Sequence, residues 1–442
     1  MVASIVGQGS ARSGHRVEVA RLVDEWGIEV AGAVPVARRQ GLDMLGGVAA
    51  QGSQAVTSLA LQVLAARLLG VDGLGRFGAL YAVIILATAL CSGFVGDSLT
   101  VLDRTRAEIR AGLQTWLLIV SAMAGALSGA GAFATGFLTL PGAIVLGGAT
   151  AVFLVEDSLR RLLMATMHFW RIVLVDVAAL VVSVSVVVGA GMATSLTVSH
   201  FLVALMVGQV VATFAAVAVL PASERYVVGM RPAALAAVAA YGGWRAVQRA
   251  VRPALLASVR IVGLLVVSAA AAGRLEAARI YMAPAMLVLA GVSSFLFASY
   301  ASRSDAPFPE LVHLADRSVL KLLGAIGAFC VVAVTLMGWL GTLLTGDKYE
   351  LSLVTVGGWA AYAASVAAVM PYGQLAAVRG RQAAVLAWGV ADSIVSLLAV
   401  IVLVRIQRSV EWVPFVLAAG SVLGGATLRC FVLGSERDEY AP

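Results

Sequence analysis

Residues 70–77, Gly70-Val71-Asp72-Gly73-Leu74-Gly75-Arg76-Phe77, are answered in the second half of the chain by Gly273-Arg274-Leu275-Glu276-Ala277-Ala278-Arg279-Ile280. Each segment has a glycine, five residues, an arginine and an apolar residue, and each follows a long apolar run. A segment that recurs after an equivalent stretch marks an internal repeat, and membrane transporters are commonly built from two such repeats. Working outward from the pair, apolar runs fall near 42–69, 77–99, 113–136, 141–159, 172–191, 198–220, 246–272, 281–301, 319–345, 351–377, 384–404 and 413–433. A run of about 20 apolar residues crosses the hydrocarbon core as a helix. The pattern predicts an all-α polytopic membrane protein of about 12 transmembrane helices in two pseudo-symmetric six-helix lobes. The expected divisions are a tail at 1–41, an N-terminal lobe at 42–220, a linker at 221–245, a C-terminal lobe at 246–433 and a short tail at 434–442.

Composition agrees with that reading. Of 442 residues 61% are hydrophobic and only 12% are charged, and the mean hydropathy is +0.96; soluble domains hold roughly 45–50% apolar and about 25% charged residues. A soluble enzyme, a nucleic-acid binder and a disulfide-built secreted domain are excluded. Cys91, Cys330 and Cys430 sit in apolar runs without metal-ligand spacing, which suits small packing residues. The first long run begins near Leu42, later than a cleavable signal peptide would.

The net charge of +7 reports topology before it reports a partner. On the side of the N-terminus fall 20 basic residues, among them Arg104, Arg106, Arg160, Arg161, Arg379 and Arg381, against six on the other: Arg76, Arg274, Arg279, Lys348, Arg405 and Arg408. Lys and Arg accumulate in cytoplasmic loops, so both termini are expected in the cytoplasm. The far-side loops are about three to eleven residues long on this reading, ordinary helix connections with no room for the external catalytic domain of a membrane glycosyltransferase or glycan polymerase.

Two polar stripes stand out within paired spans. Span 1 carries Gln51, Gln54, Ser58 and Gln62, spaced so that all four share one face of a helix. Span 7 carries Arg249, Arg252 and Arg260 with matching spacing, and Arg245 falls on the same face. Arginine facing lipid is costly, so this stripe should face the bundle interior or a water-filled cavity. Arg245, Arg249 and Arg252, before Pro253, read equally as snorkelling anchors at the interface; Arg260 lies too deep for that. The amide stripe reads either as a binding surface or as interhelical glue. Asp176 and Asp392, in equivalent helices of the two halves, would bind a coupling ion or pair with a buried arginine such as Arg260. Glu156, Asp157, Arg160 and Arg161 should include an i,i+4 ion pair. Gly125/Gly129 and Gly420/Gly424 read as close helix contacts, and Pro253, Pro284 and Pro371 as kink sites.

The segment Ala66-Arg67-Leu68-Leu69-Gly70-Val71-Asp72-Gly73-Leu74-Gly75-Arg76-Phe77 resembles the span 1–span 2 signature of the Wzx-type polysaccharide flippases, in the multidrug/oligosaccharidyl-lipid/polysaccharide exporter superfamily. The turns Leu344-Thr345-Gly346-Asp347-Lys348-Tyr349 and Val378-Arg379-Gly380-Arg381 add to the likeness, which covers roughly residues 42–433. The resemblance implies two lobes around a central cavity, carrying a polyprenyl diphosphate-linked oligosaccharide across the bacterial cytoplasmic membrane by alternating access for cell-envelope polysaccharide assembly. It further implies membrane lipids and glycan polymerase or ligase proteins as partners, with no nucleic acid, no cofactor and no enzymatic step. On that implication Arg249, Arg252 and Arg260 would meet the diphosphate, because guanidinium groups bind phosphate oxygens in pairs, and Gln51, Gln54, Ser58 and Gln62 would meet sugar hydroxyls. Asp176 and Asp392 would be the places for a coupling ion. The tail of about 40 residues departs from the family pattern.

An ion-coupled drug exporter of the same superfamily is the nearest rival, and it would be expected to present carboxylates where span 7 presents arginine. A major-facilitator transporter is disfavoured because Asp103-Arg104-Thr105-Arg106 matches its loop motif only in part. An enzyme of lipid-linked sugars lacks a clustered histidine or carboxylate motif on the far side. No nucleotide-binding loop points to ATP.

Overall fold

The computed structural model describes residues 40–432 apart from 223, 226–233, 302, 304, 305 and 380. The terminal tails and part of the linker between the expected lobes, residues 223 and 226–233, lie outside the described residues. Among the described residues every regular element is helical. The chain opens with α1 (Gln40–Cys91), which continues through a π-helical turn (Ser92–Gly96) into α2 (Asp97–Val101). There follow α3 (Ala107–Ala134), α4 (Leu140–Ala165), α5 (Phe169–Ala193), α6 (Val198–Val219), α7 (Leu235–Val266), α8 (Ala269–Ala301) and α9 (Phe308–Thr335). The last are α10 (Met337–Thr345), α11 (Leu353–Val378), α12 (Gln382–Gln407) and α13 (Val413–Thr427), the last ending in a π-helical turn (Leu428–Val432).

Ten of these helices are long and apolar enough to cross a membrane. α1 supplies two crossings: it turns at Gly70 (φ 71°, ψ −179°), a left-handed region open mainly to glycine, and its arms run back alongside each other, with Ser58 Oγ 2.9 Å from Tyr81 Oη. α7 is the remaining crossing; its arginines interrupt the apolar run, while its length of about 48 Å at 1.5 Å per residue exceeds the bilayer core. The molecule is therefore an all-α bundle of twelve crossings in two pseudo-symmetric lobes, as the repeat predicts.

Helix ends follow local chemistry. Proline occupies the first turn of α4, α9 and α13, where its missing N–H costs nothing. Thr197 and His200 close a reciprocal cap on α6, Ser352 caps α11, and left-handed Gly346 ends α10. Pro253, Pro284 and Pro371 all lie inside continuous helices. The repeated segments are helical rather than loop: after Gly70 the helix resumes at once, and α8 begins four residues before Gly273. Arg76 and Arg279 thus project from helices, and the far-side connections there shrink to Gly70 and to Val267–Ser268. α7 likewise starts at Leu235, inside the stretch read as linker.

The largest apolar core, from Leu255 to Leu428, draws only on the second half, and the core around Ile172 only on the first; the core around Phe77 and Phe201 also takes in Ala277, Ile280 and Leu344, and that around Leu113 and Leu154 takes in Val238 of α7. Small residues let backbones meet: a Cβ at Gly125 would lie 2.6 Å from Gly147 O, and one at Gly129 2.7 Å from Ala143 O. In the second half Gly420 and Gly424 instead make room for the side chains of Ser396 and Asp392. The halves touch at both ends of the bundle. At the end away from the N-terminus, Gly75 and Gly273 bring α1 and α8 into backbone contact, and a Cβ on either would sit 2.0 Å from Ala269 O or 1.8 Å from Val71 O. At the end nearer the N-terminus, called here the tail side, the π-helical turn packs on α7: Gly93 lies against Arg245 O, and Gly242 against Phe94 O.

Candidate functional site

α7 runs along the junction of the halves and places its arginines in three successive ion clusters. Nearest the tail side, Asp97 at the end of the π-helical turn receives both Arg245 (Nη2–Oδ2 2.9 Å) and Arg249 (Nη2–Oδ1 2.8 Å). The extra residue of the π turn, together with Gly93, brings that carboxylate up to α7, and Gly96 makes room for the Arg161 side chain of α4; such turns are common at functional sites. Deeper, Arg252 faces Asp392 of α12 at 3.6 Å, lies 5.0 Å over the Tyr362 ring and donates to Ser421 Oγ at 3.4 Å. Toward the far side, Arg260 Nε stands 3.0 Å from Glu276 Oε2. Arg279 reaches the same carboxylate at 2.7 Å and donates to Gln62 Oε1 across the junction.

The expected arginine stripe therefore lines the junction, half-buried at Arg245, Arg249 and Arg252 and enclosed at Arg260, and Arg249, Arg252 and Arg260 each have a carboxylate partner. Around the junction five guanidiniums, those of Arg245, Arg249, Arg252, Arg260 and Arg279, meet three carboxylates, Asp97, Asp392 and Glu276. The excess is two positive charges. Arg260 is held by Glu276 and by neither aspartate: Asp392 pairs with Arg252, and Asp176 pairs with Arg160 at 3.4 Å.

The amide stripe is divided among different tasks. Gln51 is exposed at the tail side, with Nε2 3.9 Å from Met164 Sδ. Gln54 Oε1 accepts from Arg160 Nη1 at 2.9 Å. Ser58 meets Tyr81 and accepts from Gln62 Nε2 at 3.0 Å, and Gln62 is the member that reaches the other half. Arg160 also donates to Ala50 O, and Ser53 Oγ donates to Asp176. One buried guanidinium so joins α1, α4 and α5. The neighbouring pair Arg161–Asp157 is the expected i,i+4 ion pair at 2.7 Å, with Ser92 Oγ donating to Asp157 at 2.6 Å. Between these helices lies a narrow cavity of about 40 Å³ with a mainly apolar wall, into which Gln54, Ser58, Tyr81, Glu156, Asp176 and Gln209 also reach, room for a few water molecules at roughly 10–15 Å³ each.

Asp97, Glu276 and Arg279 are the contributors that sequence reading passed over. Glu276 and Arg279 carry a signal, an i,i+3 opposite-charge pair inside the repeated segment, although they fall in the hydropathy gap between the runs at 246–272 and 281–301. Asp97 is a lone carboxylate ending an apolar run, and only the fold brings it to α7. At the far side Lys348 Nζ donates to Leu68 O at 2.9 Å and Tyr349 Oη to Ala66 O at 3.4 Å. Burial pushes the Tyr349 phenol above its usual value, which keeps it a donor.

No protein-family model matches the sequence, and no curated protein matches it. Solved structures do match in fold. A multidrug resistance MATE family transporter of the MOP superfamily in its inward-facing conformation superposes with a TM-score of 0.60 at 13% identity, over 88% of this chain and 96% of that one. A MOP superfamily transporter from Pyrococcus furiosus, described as having a binding pocket of reverse polarity that suggests a different function, gives 0.58 at 12% identity over 89% and 94%. The lipid II flippase MurJ, in an inward closed conformation, gives 0.69 at 13% identity over 88% and 87%. The chain therefore has the twelve-helix fold shared by MATE family transporters of the MOP superfamily and by the lipid II flippase.

Proposed function

We propose that this protein is a transporter of the MOP superfamily that moves a polyprenyl diphosphate-linked oligosaccharide across the cytoplasmic membrane by alternating access, for cell-envelope polysaccharide assembly. The carrying observation is the excess of guanidinium over carboxylate groups around α7 and α8 at the junction of the halves. A fixed positive excess in a low-dielectric setting favours an anionic cargo, and paired guanidiniums suit phosphate oxygens. In this reading Arg249, Arg252 and Arg260 serve the diphosphate, and Gln51, Gln54, Ser58 and Gln62 are the glycan-side candidates; the carboxylates Asp176 and Asp392 are the candidates for ion coupling. Glycan polymerase or ligase proteins would receive the product.

The alternative is an ion-coupled exporter of small molecules, which the likeness to the MATE family transporters supports. Depletion of the protein in its host, with mass spectrometry of lipid-linked glycans and a sidedness assay on membrane vesicles, separates the two. A complete diphosphate-linked oligosaccharide should accumulate on the cytoplasmic face while the surface polymer disappears. Unchanged pools would leave the exporter reading in place. Arg260→Ala, in which Glu276 keeps Arg279, should remain folded in the membrane and lose transport, whereas Arg76→Ala should be mild; full transport by the Arg260 variant would remove the diphosphate role.

A further inference from the structure

The far-side ion cluster has two properties that ordinary packing does not require. Its charges do not balance: Arg260 and Arg279 share the single carboxylate of Glu276. The carboxylate is enclosed, with a side-chain exposure of 3%, while the guanidiniums above it are 13% and 22% exposed. Both carboxylate oxygens are in use, since Oε2 receives Arg260 Nε and Arg279 Nε at 3.0 Å each and Oε1 receives Arg279 Nη2 at 2.7 Å. Arg279 Nη2 is at the same time the donor to Gln62 Oε1 of α1. One arginine thus divides itself between the charge of its own helix and an amide of the opposite half, next to the glycine contact of α1 with α8.

Resting on the diphosphate reading above, we propose that Arg279 is a cargo-operated latch. Arg260 and Arg279 form a site for an anionic phosphate group over Glu276, and occupation of that site draws Arg279 away from Gln62 and loosens the contact of the two halves at the far side. Glu276 keeps Arg260 as counter-charge throughout, so no carboxylate is left alone in the bundle, and one anion neutralises the positive charge left over. Gln62 is then held only by Ser58 of its own helix, at 3.0 Å from Oγ and 3.1 Å from the carbonyl. The far-side contact loses the polar link between α1 and α8.

The test uses the full chain in lipid nanodiscs, with Cys91, Cys330 and Cys430 replaced by alanine and Val71→Cys as a reporter at the far-side contact. The probe is farnesyl diphosphate, with farnesol as the uncharged control, and the readouts are probe affinity and labelling by a charged maleimide. Farnesyl diphosphate, and not farnesol, should raise labelling at least fivefold. Gln62→Ala, which leaves the ion cluster intact, should label at that raised rate without probe. Glu276→Gln should bind the probe at least tenfold more tightly; if that variant does not fold, the Gln62 variant decides alone. Binding of the probe with unchanged labelling, or wild-type behaviour of Gln62→Ala, overturns the latch and leaves the diphosphate reading standing. Failure of the wild type to bind farnesyl diphosphate removes both.

Discussion

Arg160 is the most enclosed of the paired guanidiniums, with side-chain exposures of 3% for it and 6% for Asp176, and its neighbours show what such a group costs when broken. Removing one partner of a buried pair strands the other charge and destabilises by about 3–5 kcal/mol, whereas replacing both with apolar groups is often neutral. Arg160→Ala should therefore lower thermal stability in detergent sharply, and Arg160→Met combined with Asp176→Leu should recover much of the loss; a double-mutant cycle measures the difference. The far-side cluster behaves by the same rule with a different outcome. Arg260→Ala leaves Glu276 with Arg279, and Glu276→Ala leaves two guanidiniums facing each other, so the second should be clearly less stable than the first. Equal melting temperatures would mean that water or lipid, and not Glu276, balances these arginines.

At the scale of elements, the contact between α1 and α8 rests on two glycines, and its geometry leaves no space for a methyl group. A Cβ at Gly273 would meet Val71 O at 1.8 Å, and crowding of this kind costs about 1–3 kcal/mol when a backbone must shift. Gly273→Ala should part the helices on the far side, seen as faster maleimide labelling of a cysteine placed at Val71, whose carbonyl faces Gly273 in the closed contact. The crossings were legible in the sequence, because apolar length survives any packing detail; the glycine contact was not, since the repeat matches Gly273 with Gly70 whereas the structure packs it beside Gly75. α4, α5, α6, α11 and α12 lie close to where hydropathy put them, whereas α8 begins at Ala269 rather than near 281. The reason is physical: hydropathy falls at Arg274, Glu276 and Arg279, although the i,i+3 pair of Glu276 with Arg279 is formed inside the helix. Partner choice was hidden as well. The sequence placed Asp392 and Asp176 in equivalent helices, but that Asp392 takes Arg252, that Asp176 takes Arg160 and that Asp97 takes two arginines depends on helix rotation and on a π turn that no spacing rule reveals.

For the whole molecule, charge and orientation bear on the same question, since the Asp97 cluster lies at the tail side and the Glu276 cluster toward the far side of one helix. If the tail side is cytoplasmic, a lipid-linked anion arriving from that leaflet meets Arg245 and Arg249 first and Arg260 last, and the guanidiniums form a graded path along α7. The asymmetry of basic residues, 20 against six, supports that orientation. Basic residues resist translocation in short loops, so the prediction is direct. Alkaline phosphatase, active only outside the cytoplasm, should be active when inserted at Phe137, between α3 and α4, or at Asp347, before α11, and inactive at Thr166, between α4 and α5. A fluorescent protein that matures only in the cytoplasm should shine when fused at the C-terminus. The reverse pattern would put Asp97 with its two arginines on the outer face, and an anion loaded from the cytoplasm would then meet the Glu276 cluster first, so that Arg279 would guard the entrance and not the exit.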